Sequence, residues 1–178
     1  KLDTQAYRPA VVFINGEYWG IHNIRERFDK YYLASHYNLN TDNVAIIELV
    51  NRMPEETYEV SEGSEEDVEA YLNEVTGFLK NNPVTIQENY EYIKTKIDVD
   101  NYINYQIANI YFANTDWPGN NVKIWRYKTK DGQYNPDASY GQDGRWRWMI
   151  YDTDFGFGLY NTGANHDTLS FATATNGP

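Results

Sequence analysis

The sequence predicts an α+β fold in which mainly antiparallel strands form a sheet and three or more helices pack on it. An Asn-Gly pair lies between two short β-branched and aromatic segments, which is typical of a hairpin. Segments with helical spacing of apolar residues fill the middle of the chain, and alternating segments follow them. The 178 residues, 41% of them hydrophobic, suffice for a sizeable core, and we treat residues 1–178 as a single domain.

The first predicted element is a β-hairpin over residues 10–24. Asn15 and Gly16 supply the two positive-φ positions of a type I′ turn, and Gly20 in the return strand indicates a bulge. From residue 24 to residue 33 the pattern becomes charged and helical. Residues 44–50 have the continuous apolar character of a buried strand.

Residues 51–66 are rich in Glu and predict a solvated acidic loop. Three helices are predicted after it, over about residues 65–80, 86–97 and 98–114, because apolar residues recur there at three- and four-residue spacing. The third helix ends at Asn114, since the Pro-Gly pair that follows requires a loop.

Two alternating segments, residues 122–127 and 145–151, predict the last strands, with a long Gly- and Asp-rich turn between them. We expect the second strand to return antiparallel to the first. Asp152 would then lie near Asn121 at one end of the strand pair, although the two are distant in sequence.

Two polar motifs mark a candidate site. In the catalytic-loop-like segment 114–121, Asn121 follows Asp116 by five positions, and the metal-motif-like segment 150–158 contains Asp152 and the Asp-Phe-Gly that begins at Asp154. This order of Asp, Asn and Asp-Phe-Gly occurs in phosphoryl-transfer sites, where the first Asp takes the acceptor proton and the other residues hold Mg²⁺. Helix-ending turns use the same residue types, so spacing alone leaves both interpretations open.

Composition excludes several classes of protein. The formal net charge of −11 disfavours nucleic acid as a partner and favours basic partners and divalent cations. No Cys is present, which excludes disulfides, thiolate zinc sites and cysteine nucleophiles, and no apolar run approaches the roughly 20 residues of a membrane span. Neither a Walker motif nor a dinucleotide-binding motif occurs.

Several blocks together resemble the spore coat protein H (CotH) kinase family. The most specific is the hairpin sequence Asn-Gly-Glu-Tyr-Trp-Gly, and the blocks cover most of the chain outside the acidic segment and the tail. They are residues 7–9, 13–21, 24–29, 114–116 with 120–121, and 148–158.

The resemblance implies a divergent, atypical protein-kinase-like fold that uses ATP and Mg²⁺ or Mn²⁺ to phosphorylate Ser or Thr of secreted or coat proteins. By matching position, Asp116 resembles the catalytic aspartate, and Asn121, Asp152 and Asp154 resemble the metal ligands. Glu26 is a candidate ion-pair partner in the nucleotide site, although helix-surface charge also explains it. The resemblance further implies a basic or Ser/Thr-rich protein substrate and a secreted, extracellular or cell-surface location.

The chain departs from the family at both ends. Family members have a preceding strand with a basic motif, expected to supply a phosphate-binding Lys, and further helices after the segment that ends at Gly158. Neither is visible in this sequence. We therefore expect a fragment that lacks the N-terminal and C-terminal parts of the family domain and the basic half of the site, so that the fragment alone can be inactive.

Two alternatives from other classes remain. An extracellular binding module would present a planar row of exposed Tyr and Trp side chains to glycans or proteins. A glycoside hydrolase would use Asp116 with Asp152 or Asp154 as facing carboxyl groups, one of them in an apolar pocket with a raised pKa.

Overall fold

The computed structural model describes residues 1–51, 57–159, 163 and 165–175. The strands are β1 (Tyr7–Ile14), β2 (Glu17–Arg25), β3 (Val44–Asn51), β4 (Thr57–Glu62), β5 (Val122–Tyr127) and β6 (Arg147–Met149). The α-helices are α1 (Lys30–Tyr37), α2 (Glu65–Tyr71), α3 (Phe78–Asn81), α4 (Gln87–Lys96), α5 (Val99–Phe112) and α6 (Thr168–Thr173). All strands pair antiparallel, so the predicted α+β class with antiparallel strands and packed helices is confirmed.

Strands β1 and β2 form a two-stranded sheet, separate from the other strands, that we call the hairpin. Asn15 and Gly16 have φ of 51° and 85°, as the predicted turn requires. The register shifts after Val12, where Gly20 has a φ of 114°, and this is the bulge that the sequence predicted.

The helix predicted from residue 24 to residue 33 is wrong in its first half. Strand β2 continues to Arg25, which pairs with Tyr7, and α1 begins only at Lys30. The carboxylate of Asp29 accepts hydrogen bonds from the backbone N–H groups of Tyr31 and Tyr32, and this cap fixes the start of the helix.

The main sheet has the strand order β4-β3-β5-β6. Its central strand β3 is buried on both faces, because α1 lies on one face and α2 and α5 lie on the other. Within β5, Trp125 is fully buried and its indole Nε1 donates to Oδ2 of Asp3 at 2.9 Å. The backbone carbonyl of Asp3 accepts from the N–H of Ile150, so the N-terminal segment runs beside the end of β6.

The acidic loop predicted over residues 51–66 is wrong for residues 57–62, which form strand β4 along the edge of β3. Tyr58 and Val60 alternate with more exposed neighbours and pack against the core, and this pairing with β3 outweighs the local excess of Glu. Residues 52–56 lie outside the described residues.

Helical segments occupy the three predicted ranges. Residues 65–81 form α2, a π-helical turn over 72–77 and α3, and Ser64 with Asp67 makes a capping box at the start. Helices α4 and α5 follow, and α5 ends at Phe112 because Ala113 adopts a left-handed conformation with a φ of 49°. No helix of the described residues is long and apolar enough to cross a membrane.

Candidate functional site

Buried amide side chains hold the loop that follows α5. Asn114 donates through Nδ2 to Oδ1 of Asn109 at 2.9 Å, and its own Oδ1 accepts from the backbone N–H of Asp116 at 3.2 Å. Both asparagines are almost fully buried. Because each amide is bonded to the next, the C-terminal turns of α5 fix the position of Asp116.

Asp116 and Asn121 are in direct contact. Nδ2 of Asn121 donates to Oδ2 of Asp116 at 3.1 Å, and Nδ2 of Asn120 donates to the same oxygen at 3.3 Å. Asn121 has a φ of 56°, a left-handed conformation that Asn tolerates better than most residues. Asn121 contacts Asp116 through its Nδ2 donor, so its Oδ1 acceptor takes no part in this hydrogen bond.

The two predicted motifs meet. Nδ2 of Asn121 lies 3.5 Å from the carbonyl oxygen of Asp152. The backbone N–H and hydroxyl of Thr115 both donate to the carbonyl oxygen of Phe155, at 3.4 Å and 3.2 Å. The proximity of Asn121 and Asp152 expected from an antiparallel strand pair is therefore confirmed.

Gly156 is required where the second motif crosses the end of α5. A Cβ atom at this position would lie 2.8 Å from the carbonyl oxygen of Phe112, closer than real side chains come. The next residue, Phe157, donates its backbone N–H to that same oxygen at 2.6 Å. The glycine thus allows the metal-motif-like segment to pack directly on the helix that supports Asp116.

Asp152 lies in a region of negative charge. Partial burial of its carboxyl group, the charge of Asp154, a hydrogen bond to Asp154 and the charge of Asp116 all raise its pKa above the ordinary value. Arg25 acts in the opposite direction. The three aspartates that the sequence singled out are thus within electrostatic reach of one another.

The side-chain oxygens of Asn121, Asp152 and Asp154 suit a hard divalent cation whose remaining ligands are phosphate oxygens of the substrate. Among the described residues, no three carboxylate or histidine side chains are arranged to hold a metal ion by themselves. Mg²⁺ in phosphoryl-transfer sites usually takes one or two carboxylates together with phosphate oxygens. Burial is the largest cause of the raised pKa of Asp152, and the charges of Asp154 and Asp116 add repulsion that such a cation would relieve. Metal ligation by Asn121, Asp152 and Asp154 stays a prediction.

Glu26 lies directly after β2 and not on a helix, contrary to its predicted placement. One carboxylate oxygen accepts from the backbone N–H of Ala6 at 2.8 Å, and the other contacts Nε2 of His36 at 2.9 Å. The hydrogen bonds to His36 and Ala6 lower the pKa of Glu26. Its carboxylate thus links the hairpin base to α1, and its role in nucleotide binding stays a prediction.

An ion pair that no sequence pattern indicated lies beside the second motif. Nζ of Lys123 lies 3.1 Å from Oε2 of Glu48, and the hydroxyl of Tyr151 donates to Oε1 of Glu48 at 2.5 Å. Burial raises the pKa of Glu48, but the hydrogen bonds from Tyr151 and Lys123 outweigh it, and the net shift is downward. Only the register of β3 against β5, which pairs Glu48 with Lys123, reveals this contact.

The fold and the site define a mixed α+β domain in which a helix-end loop and a strand-end motif form one acidic site. The family model of CotH kinase protein matches residues 1–177, and the chain belongs to this family. No curated protein and no solved structure matches the chain.

Proposed function

We propose that this chain carries the acidic part of the phosphoryl-transfer site of an atypical Ser/Thr protein kinase with a divergent kinase-like fold. The observation that carries the proposal is the position of the Asn121 amide, which donates to Oδ2 of Asp116 and lies 3.5 Å from the carbonyl oxygen of Asp152. It joins two motifs that are far apart in sequence into one site. Membership of the CotH kinase family supports the same reaction class.

In the proposed reaction, the γ-phosphoryl group of ATP moves to the oxygen of a Ser or Thr side chain, and ADP leaves. Asp116 orients the acceptor hydroxyl and takes its proton. Asn114, just after the end of α5, holds its backbone N–H, and the amide of Asn121 holds its carboxylate. Asn121, Asp152 and Asp154 would hold Mg²⁺ or Mn²⁺. When bound, the cation neutralises negative charge on the phosphate groups.

The charge of the chain supports a basic protein substrate, since a net charge of −11 attracts positively charged segments. A Ser/Thr-rich substrate and a secreted, extracellular or cell-surface location are parts of the same proposal. They follow from the character of the family described above and not from any contact in the structure.

The described residues favour neither alternative class. The neighbouring exposed rings of Phe13 and Tyr18 on the hairpin meet edge-on, with 67° between their planes, which is not the planar row that a glycan-binding surface requires. A glycosidase acid needs an apolar pocket, whereas the residue Asp152 is exposed overall and, besides partial burial of its carboxyl group, the charges of Asp154 and Asp116 raise its pKa.

The test is calorimetric binding of ATP with and without Mn²⁺, together with a phosphoryl-transfer assay on a basic Ser/Thr-rich protein. We expect Asp152→Asn to weaken Mn²⁺-dependent ATP binding at least about tenfold, because a candidate metal ligand loses its charge. Asp116→Asn keeps a side-chain oxygen that can accept from Asn121, so it should weaken binding much less than Asp152→Asn does. It should nevertheless abolish transfer, since the proton acceptor is lost. Asp137→Asn, an exposed aspartate in the long turn, is the matched control. Absence of metal-dependent ATP binding by the wild-type chain would overturn the proposal.

A further inference from the structure

A cavity of about 410 Å³ separates the hairpin from the metal-motif-like segment. One side is formed by Tyr7, Asn23 and Arg25 of the hairpin, and the opposite side includes Tyr151 and Thr153, the two neighbours of Asp152. The N-terminal segment and the end of α5 complete its wall. The cavity therefore opens directly beside the acidic site and has both polar and aromatic lining.

Arg25 is the cation of this cavity. It occupies the last position of β2, and its side chain is exposed. Among the described residues no carboxylate lies within ion-pair distance of Arg25, although its positive charge acts on Asp152 across the cavity. A guanidinium group within electrostatic reach of Asp152, without an ion-pair partner among the described residues, is free to bind an anion.

The charge of the hairpin differs from that of the rest of the chain. Residues 7–25 contain Arg8, Arg25 and a single acidic residue, Glu17, so the formal charge there is 2 − 1 = +1 in a chain of net charge −11. The hairpin thus presents a cation to a site that contains three candidate carboxylates and whose neighbouring Lys123 is already paired with Glu48. An anion that also binds a divalent cation would be attracted from both sides of the cavity.

We propose that Arg25 binds the phosphate groups of a nucleoside polyphosphate in the cavity between the hairpin and residues 150–158. This inference rests on the proposed function and adds a binding residue to it. Arg25 then supplies, from the hairpin itself, the basic half of the site that the family resemblance had predicted to be absent. The planar guanidinium group can donate two parallel hydrogen bonds to phosphate oxygens, which an ammonium group does not match.

The remaining cavity walls suit the rest of such a ligand. The ring of Tyr7 lies on the same hairpin face as Arg25, because the two residues are paired across the strands. Phe112 forms part of the opposite wall, and Asn23 contributes an amide that can both donate and accept hydrogen bonds. Aromatic rings together with a side-chain amide in the cavity lining suit a flat heterocyclic base.

The experiment compares Arg25→Gln with Arg8→Gln. Arg8 is also exposed and on β1, but it pairs with Ile24 and therefore lies on the opposite face of the hairpin. Binding of ATP, inorganic tripolyphosphate and adenosine to each variant is measured by calorimetry in Mn²⁺ buffer. Far-UV circular dichroism checks that both variants fold like the wild-type chain.

We expect Arg25→Gln to weaken ATP and tripolyphosphate binding about 10- to 100-fold, as loss of hydrogen bonds to a charged group predicts. Adenosine binding should stay unchanged in Arg25→Gln, and Arg8→Gln should bind all three ligands like the wild type. Equal losses in both variants, or undiminished ATP binding by Arg25→Gln, would overturn the inference while leaving the proposed function intact. If the wild-type chain binds neither ATP nor tripolyphosphate, the proposed function fails as well.

Discussion

The hairpin and the main sheet of this protein use similar residues in opposite ways. Both are rich in aromatic and β-branched side chains, yet Trp19 of the hairpin is 61% exposed and Trp125 of β5 is fully buried. The main sheet has helices on both faces, whereas the hairpin strands pair with each other and with no other described strand. The same composition therefore builds a core in one region and an exposed arm in the other.

This difference explains the construction of the site. The carboxylates come from the packed region, where buried asparagines and a close glycine contact leave Asp116 and the second motif little freedom. Arg25 comes from the exposed hairpin, which is anchored near its base by Glu26. A rigid acidic half and a less constrained basic arm would suit the proposed nucleotide site, which has to admit and release its ligand.

The largest expected effect distinguishes the two tryptophans. Trp125→Ala should lower the free energy of unfolding by about 4–5 kcal/mol, because it leaves a large cavity and removes the hydrogen bond to Asp3. Trp19→Ala should change it by less than about 0.5 kcal/mol. Urea unfolding followed by circular dichroism measures both. If Trp19→Ala lowers the free energy of unfolding by more than about 2 kcal/mol, the hairpin is packed in solution and is not an exposed arm.

The next effect concerns a buried ion-pair network in the packed region. Arg147 is fully buried and donates to both carboxylate oxygens of Asp143, at 2.8 Å and 2.7 Å, with Asp98 at 3.0 Å. Asp143→Asn should cost about 3 kcal/mol, at the low end for breaking a buried pair, because Asp98 remains as a partner. Urea unfolding at neutral pH gives the value, with the exposed Asp137→Asn as the near-neutral control.

The same variant should also change the response to acid. Burial raises the pKa of Asp143, but the hydrogen bonds and charge of Arg147 outweigh burial, so the folded-state pKa lies below the ordinary aspartate value of 3.8. The stabilisation is therefore complete above pH 3.8 and is lost as pH falls below it. Asp143→Asn should unfold with a shallower pH dependence below pH 4, and an unchanged acid profile would argue against the ion pair.

The smallest effect tests the contact between the two motifs. Thr115→Val removes the hydroxyl bond to Phe155 but keeps the backbone bond. Mn²⁺-dependent ATP affinity should fall roughly 2- to 10-fold, the value of one hydrogen bond. Thr95→Val, which removes a similar hydroxyl-to-carbonyl bond on the distant helix α4, is the control. Equal affinities in the two variants would mean that the contact does not position the site.

The sequence predicted the elements that depend on neighbouring residues. The Asn-Gly turn and the capping box at Ser64 are fixed by local backbone and side-chain geometry, and both are present. Strand β4 was predicted as part of the acidic loop, because its Glu residues favour a solvated loop. Its pairing with β3 is a long-range contact that no local pattern indicates. Arg25 was assigned to a charged helix, although the alternation along β2 could have extended the strand to it.

For the candidate site, the sequence by itself singled out the candidate residues and predicted that Asp152 follows a strand returning beside Asn121, where the structure places it. Only the tertiary structure decided what faces them: the Lys123–Glu48 pair, the glycine packed on Phe112, and Arg25 across the cavity. The physical reason is that turns, caps and helical spacing are local, over a few residues. Strand register and the position of the hairpin depend on contacts between distant segments, and local patterns in a single sequence do not reveal such contacts.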